Sequence, residues 1–178
     1  TSCSATFQNC TSLVGVPGYN LSSCTTVTSM FQSCISLVTA PSLIFSSSLT
    51  VASSMFQSCT ALTNVPNYNF PNVTTTASMF QNCTNLKFVG TFNLPAVTTM
   101  NAMFTNCSVL ETAPLITTTT ALLNIGSMFG SCFKLQYGAN ITVTSAVTTI
   151  TSMYLNCYEL ISVPTYNLAA ATSMDNIF

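Results

Sequence analysis

Charge is what this sequence has least of. Only 3% of its 178 residues carry any, as two lysines and three acids, with no arginine and no histidine. A formal charge of −1 excludes the basic footprint that nucleic-acid binding needs, and with it a polybasic membrane-surface patch. With acids only at Glu111, Glu159 and Asp175, no nucleophile–base pair, phosphate loop or metal cluster can be assembled. No enzyme activity, cofactor or metal is therefore expected. Long apolar runs are missing too: Ser, Thr and Asn interrupt every stretch well short of the about 18 residues of a spanning helix. Disorder is excluded by the opposite feature, since 48% of the residues are hydrophobic and recur in strict order. The surface must be a neutral coat of hydroxyls and amides, which suits an extracellular, cell-surface or virion setting.

What is present is a repeat. An aromatic-x-x-Cys-x-x-Leu core recurs as Phe7-Cys10-Leu13, Phe31-Cys34-Leu37, Phe56-Cys59-Leu62 and Phe80-Cys83-Leu86. It continues as Phe104-Cys107-Leu110, Phe129-Cys132-Leu135 and Tyr154-Cys157-Leu160, so that successive cysteines are 24 or 25 residues apart. Met precedes the aromatic in six of the seven copies, and a small apolar residue followed by Pro comes soon after the Leu in five, as at Val65-Pro66 and Ala113-Pro114. An aromatic-Asn-apolar triplet follows in several, as at Tyr68-Asn69-Phe70 and Phe92-Asn93-Leu94.

Within a unit, Val97, Met100, Phe104 and Cys107 carry the three-four-three spacing of a short amphipathic helix, with Pro95 placed to start it. The Leu-x-x-Val-Pro segment reads as one short strand ended by Pro. Each unit has about five large apolar side chains, worth roughly 1.5–3 kcal/mol each when buried, too little to order a unit by itself against about 1–2 kcal/mol of backbone entropy per residue. Neighbouring units must cover one another. The expected fold class is an α/β repeat solenoid: one domain over 1–178, with one short strand and one short helical segment per repeat.

The Val-Thr-x-Met-x-x-Met-Phe-x-x-Cys-x-x-Leu pattern, plainest at residues 97–110, resembles the BspA-like leucine-rich-repeat surface proteins. That resemblance covers the whole chain and implies a leucine-rich-repeat-like right-handed coil and a surface or adhesion role. It is carried by core positions, and the turns depart from the family pattern: Thr, Ser and Asn stand where Asp and other charges are usual.

Seven of the nine cysteines (Cys10, Cys34, Cys59, Cys83, Cys107, Cys132 and Cys157) occupy one column of the repeat. Side chains stacked in a column point the same way, which suits a ladder of buried thiols acting as small apolar residues and not disulfides. Cys3 and Cys24 lie outside the column and are free to pair with each other or with a neighbouring chain. Lys87 and Glu111 share a column on adjacent units, as do Lys134 and Glu159, giving two expected inter-repeat ion pairs; Asp175 has no such partner.

Phe88 and Tyr137 are the aromatics that fall just after the repeat Leu, and are the candidate ligand-face residues, set to stack on a sugar ring unless they simply pack. Thr clusters at Thr74-Thr75-Thr76, Thr98-Thr99 and Thr148-Thr149 raise an ice-binding surface, although Thr50-Val51 and Leu123-Asn124 break the rows. Asn-x-Ser/Thr sequons at Asn9, Asn20, Asn72, Asn82, Asn106 and Asn140 follow largely from composition. Phe178 is the aromatic of an eighth motif, so the chain reads as a segment of a longer one or as a stack whose ends other subunits cover. The leading expectation is a non-enzymatic structural or adhesive surface module, either a cell-surface adhesin or a virion fibre or decoration protein. Its partner would be a protein or glycan on a cell surface, or other copies of itself. A self-assembling filament subunit and an ice-binding protein are the alternatives.

Overall fold

The computed structural model describes residues 1–118, 122–141 and 147–178. Its regular elements are seven short strands: β1 Tyr19–Leu21, β2 Leu43–Phe45, β3 Asn64–Val65, β4 Tyr68–Asn69, β5 Phe88–Val89, β6 Phe92–Leu94 and β7 Ile116–Thr118. Each pairs in parallel with the equivalent segment one repeat away, giving three small sheets of order β1-β2, β3-β5 and β4-β6-β7. Isolated parallel bridges run in two further lines. One steps from Ser2 through Thr26, Val51, Thr75, Thr99, Asn124 and Thr149 to Ser173, and the other links Thr39 to Asn64 of β3 and, further on, Thr112, Tyr137 and Ser162.

The strands are short for a local reason. Phe92-Asn93-Leu94 alternates buried, exposed, buried, as a strand with one covered face should. Pro95 then removes the next amide donor, as Pro66 does after β3.

The α/β solenoid expected from the sequence, a leucine-rich-repeat-like coil with a helical segment in each repeat, is not the architecture of this chain. There is no helix among the described residues. The stretch around Val97, Met100, Phe104 and Cys107 is a run of tight turns, although all four side chains are buried. The cause is the backbone two residues either side of each aromatic. Ala102 and Asn106 flank Phe104 with φ of 56° and 61°, and the same left-handed pair recurs at Ser29 and Ser33, Ser54 and Ser58, Ser78 and Asn82, Ser127 and Ser131, and Ser152 and Asn156. A left-handed residue every four positions stops helix propagation. It instead builds successive i→i+3 turns, such as Met30 N–H to Val27 O at 3.1 Å and Cys34 N–H to Phe31 O at 3.1 Å. The turns return side chains to the core at nearly helical spacing without a helix.

These turns lock onto each other across repeats. The Phe31 amide donates to Met55 O at 2.8 Å, and the Phe56 amide to Met79 O at 2.9 Å. The aromatic rings stack in line: Phe7 on Phe31, Phe56, Phe80, Phe104, Phe129, Tyr154 and Phe178, with centroids 5.1–6.2 Å apart and planes within 11° of parallel. Gln8, Gln32, Gln57 and Gln81 form an amide ladder beside the rings, each link 2.7 Å. No buried side-chain nitrogen or oxygen among the described residues lacks a partner.

Candidate functional site

The cysteine column is buried from Cys34 to Cys157, but Cys10 is exposed, because the first repeat has a neighbour within the chain on one side only. The thiols do more than fill space. Each buried one donates to the carbonyl of the aromatic in the preceding repeat: Cys34 to Phe7 and Cys59 to Phe31 at 3.0 Å, Cys83 to Phe56 at 3.1 Å and Cys107 to Phe80 at 3.3 Å. Cys132 to Phe104 and Cys157 to Phe129 complete the series at 3.1 Å. Burial, with a smaller push from the neighbouring thiol, raises Cys59 to about 12, and burial raises Cys157 to about 11. Cys83 and Cys107 are driven well above the ordinary thiol range, again by burial first. A protonated, enclosed thiol is a poor nucleophile, so this column is structural chemistry.

Cys3 and Cys24 are joined by a disulfide, with Cα atoms 5.7 Å apart and 21 residues of separation. The expected ion pairs divide. Lys134 and Glu159 are paired, and that hydrogen bond, followed by the glutamate charge, raises the lysine pKa. Lys87 and Glu111 do not pair; theirs is a correction to the expected column, and at exposed positions such a contact gains little against side-chain entropy. Asp175 makes no ion pair among the described residues.

Lys87 and Glu111 instead line an open groove of about 1110 Å³ that spans the second to fifth repeats. Phe88, on β5, stands in it with 67% of its surface exposed, and Leu115 is also exposed there. The floor is set by a close approach of backbone. A Cβ on Gly90 would lie 2.5 Å from Asn67 Oδ1 and 2.6 Å from the Asn67 nitrogen, so only glycine fits. The Asn67 side chain closes the same corner by accepting from Thr91 N–H at 2.8 Å. Pro66 and Pro114, from the Val-Pro and Ala-Pro steps of their repeats, complete the walls without amide donors.

Tyr137 lies beyond the groove and is half exposed at 50%. It bridges Thr112, which is itself exposed and lies 24 residues, one repeat, after Phe88. Both candidate ligand-face aromatics therefore lie along one line of the surface, with Thr112 between them.

Sequence reasoning missed a second exposed aromatic feature. Phe133 and Tyr158 stack on the surface, with centroids 5.6 Å apart and planes at 9°. The available signal was their position four residues after the core aromatic, where Thr60, Thr84 and Ser108 stand in earlier repeats. The threonine rows are committed internally: the hydroxyls of Thr50, Thr74, Thr98 and Thr148 each donate to a backbone carbonyl one repeat earlier. Among the sequons, Asn20 Oδ1 accepts from Ser22 N–H and Asn72 donates to Ser47 O, while Thr142 of the Asn140 sequon lies outside the described residues.

The geometry defines a turn-rich repeat protein whose units pair in parallel and share an aromatic and thiol ladder, with an open groove on one side. The profile of the family described as "Mycoplasma protein of unknown function, DUF285" matches residues 1–118 and again residues 85–178, and the chain belongs to that family. No curated protein and no solved structure matches it.

Proposed function

We propose that this chain is a non-enzymatic, extracellular surface module that binds other molecules through its neutral, hydroxyl-rich face, in the manner of the BspA-like surface proteins it resembles. The observation that carries the reading is the groove around Phe88. A large aromatic is left in solvent there, beside an unpaired lysine and an unpaired glutamate, while the ring at the head of the same repeat, Phe80, is fully buried. Exposed aromatics flanked by polar groups favour recognition, since they offer area at low entropy cost. The Cys3–Cys24 disulfide supports an oxidising compartment. The thiol column supports a non-catalytic role, because its sulfurs are hydrogen-bonded and held protonated. Weak contacts repeated along such a face give avidity when many copies are displayed. The test is antibody labelling of the source cells or particles with serum raised against the folded chain. Labelling of intact cells or particles is expected; labelling only after lysis overturns the proposal.

A further inference from the structure

The line that holds Phe88 and Tyr137 has a period of its own. Asn64 and Phe88 are partners in β3–β5, Thr112 and Tyr137 are bridge partners, and Thr112 follows Phe88 by the repeat length. Phe88 and Thr112 are not themselves bridge partners, but their two repeats are paired four residues on at Phe92 and Ile116, so the two aromatics stand two repeats apart, about 10 Å at the spacing of parallel strands. The rung between them is Thr112, exposed and small, so nothing large projects between the rings. Beside this line runs a second, polar one, Lys87, Glu111 and Gln136. Asn64, Asn67 and Thr91 add amide and hydroxyl groups around Phe88.

We propose that this surface binds a linear, uncharged β(1→4)-linked polysaccharide laid along the stack of repeats, with alternate sugar rings on Phe88 and Tyr137. In a β(1→4)-linked chain each pyranose is turned over relative to the last, so every second ring presents the same face, and the repeat is one disaccharide long. Two aromatics two rungs apart match that period. The C–H face of a pyranose is apolar and stacks on an aromatic ring, while its equatorial hydroxyls need donors and acceptors at the edge. Lys87 and Glu111 supply one of each as charge-assisted partners, and Gln136 supplies both. An uncharged polymer fits a chain with so little charge, since no cluster of either sign lines this surface. The inference rests on the surface-binding reading above and names its ligand class.

Isothermal titration of the whole chain with cellohexaose, chitohexaose and maltohexaose, and with the shorter members of any series that binds, tests it. Binding of cellohexaose or chitohexaose is expected, and which of the two is tighter identifies the sugar. Affinity should rise steeply from the disaccharide to the trisaccharide, the shortest chain that spans both rings. Phe88→Ala and Tyr137→Ala should each weaken hexasaccharide binding by about tenfold or more, with Phe88→Tyr close to the parent. Phe133→Ala should leave it unchanged. Three results overturn the proposal: no binding of either β(1→4) hexasaccharide, equal binding of the α-linked maltohexaose, or undiminished binding by the folded Phe88→Ala, Tyr137→Ala double variant. Failure here with intact surface labelling removes the saccharide and leaves the surface-module reading standing. Labelling only after lysis removes the foundation of both.

Discussion

The thiol of Cys83 reaches back across a repeat boundary to donate to the Phe56 carbonyl at 3.1 Å, an oxygen that already accepts the Cys59 amide at 3.1 Å. Each buried cysteine thus ties its own turn to the turn before it. Cys83→Ala removes that bond and leaves a small void in a fully buried site. It should cost about 1–3 kcal/mol in equilibrium denaturation. Cys83→Ser keeps a donor and should cost less than the alanine variant. Equal loss in both would mean that only the volume of the sulfur matters.

Burial of the column also makes the fold sensitive to alkali. Cys59 has its pKa raised from the ordinary value of 9.0 to about 12, and Cys157 to about 11. Above the unfolded value the unfolded chain binds fewer protons than the folded one, so stability falls as pH rises. The contribution is complete below about pH 9 and drains away between there and about pH 12. The thermal midpoint should be flat from pH 6 to 8 and fall steeply above pH 9, more gently in a Cys59→Ala variant. A midpoint that does not move up to pH 11 would contradict the burial of these thiols. The buried thiols of Cys59, Cys83, Cys107 and Cys132 should resist alkylation at neutral pH in the folded chain and react once it is unfolded.

The disulfide acts locally. Joining Cys3 to Cys24 closes 21 residues of the first repeat, whose amides at Cys3, Ala5 and Phe7 bond to Thr26, Thr28 and Met30. Constraint of the unfolded chain by such a loop is worth about 3 kcal/mol. Reduction should therefore speed hydrogen exchange at Ala5 and Phe7 well before it affects Phe80 or Phe104, which lie several repeats away. Uniform acceleration along the chain would show that the repeats open as one unit.

The left-handed positions predict a sharp rule about side-chain shape. Ser54 holds φ at 55° just before Met55 and Phe56. Ser54→Val places a β-branched residue there and should destabilise by about 1–2 kcal/mol. Ser54→Gly relieves the strain and should be neutral or slightly stabilising. Denaturant midpoints for the two variants, read against the parent, check both signs.

The period, the core columns and the groove aromatic were all readable from residue types, because each depends on which side chains must be buried and on their spacing. Phe104, Met103 and Leu110 are buried where the motif placed them. That this segment is turns and not a helix was not readable from periodicity, because Val97, Met100, Phe104 and Cys107 keep the same three-four-three burial either way. The distinguishing signal lay beside them. The positions two before and two after every core aromatic are Ser, Asn or Ala in every repeat and never β-branched, the composition a left-handed residue allows. Volume alone suggested an apolar role for the cysteines; their hydrogen bonds to Phe carbonyls depend on a repeat-to-repeat offset that no sequence spacing reveals. The Lys87–Glu111 mispairing has the same origin, since a shared column fixes backbones and not the tips of long side chains in water.

The hydrogen bonds between repeats run along the direction in which the repeats are stacked, from Phe7 N–H to Met30 O and onward to Tyr154 N–H to Ile177 O. A pull applied to the two ends therefore loads them one layer at a time and not all together. Each layer that yields releases one repeat, about 80 Å of extended chain, while the layers behind it keep their contacts. A molecule that tethers one surface to another would in this way lengthen under tension in steps, lowering the force on its bound end before the bond itself is broken.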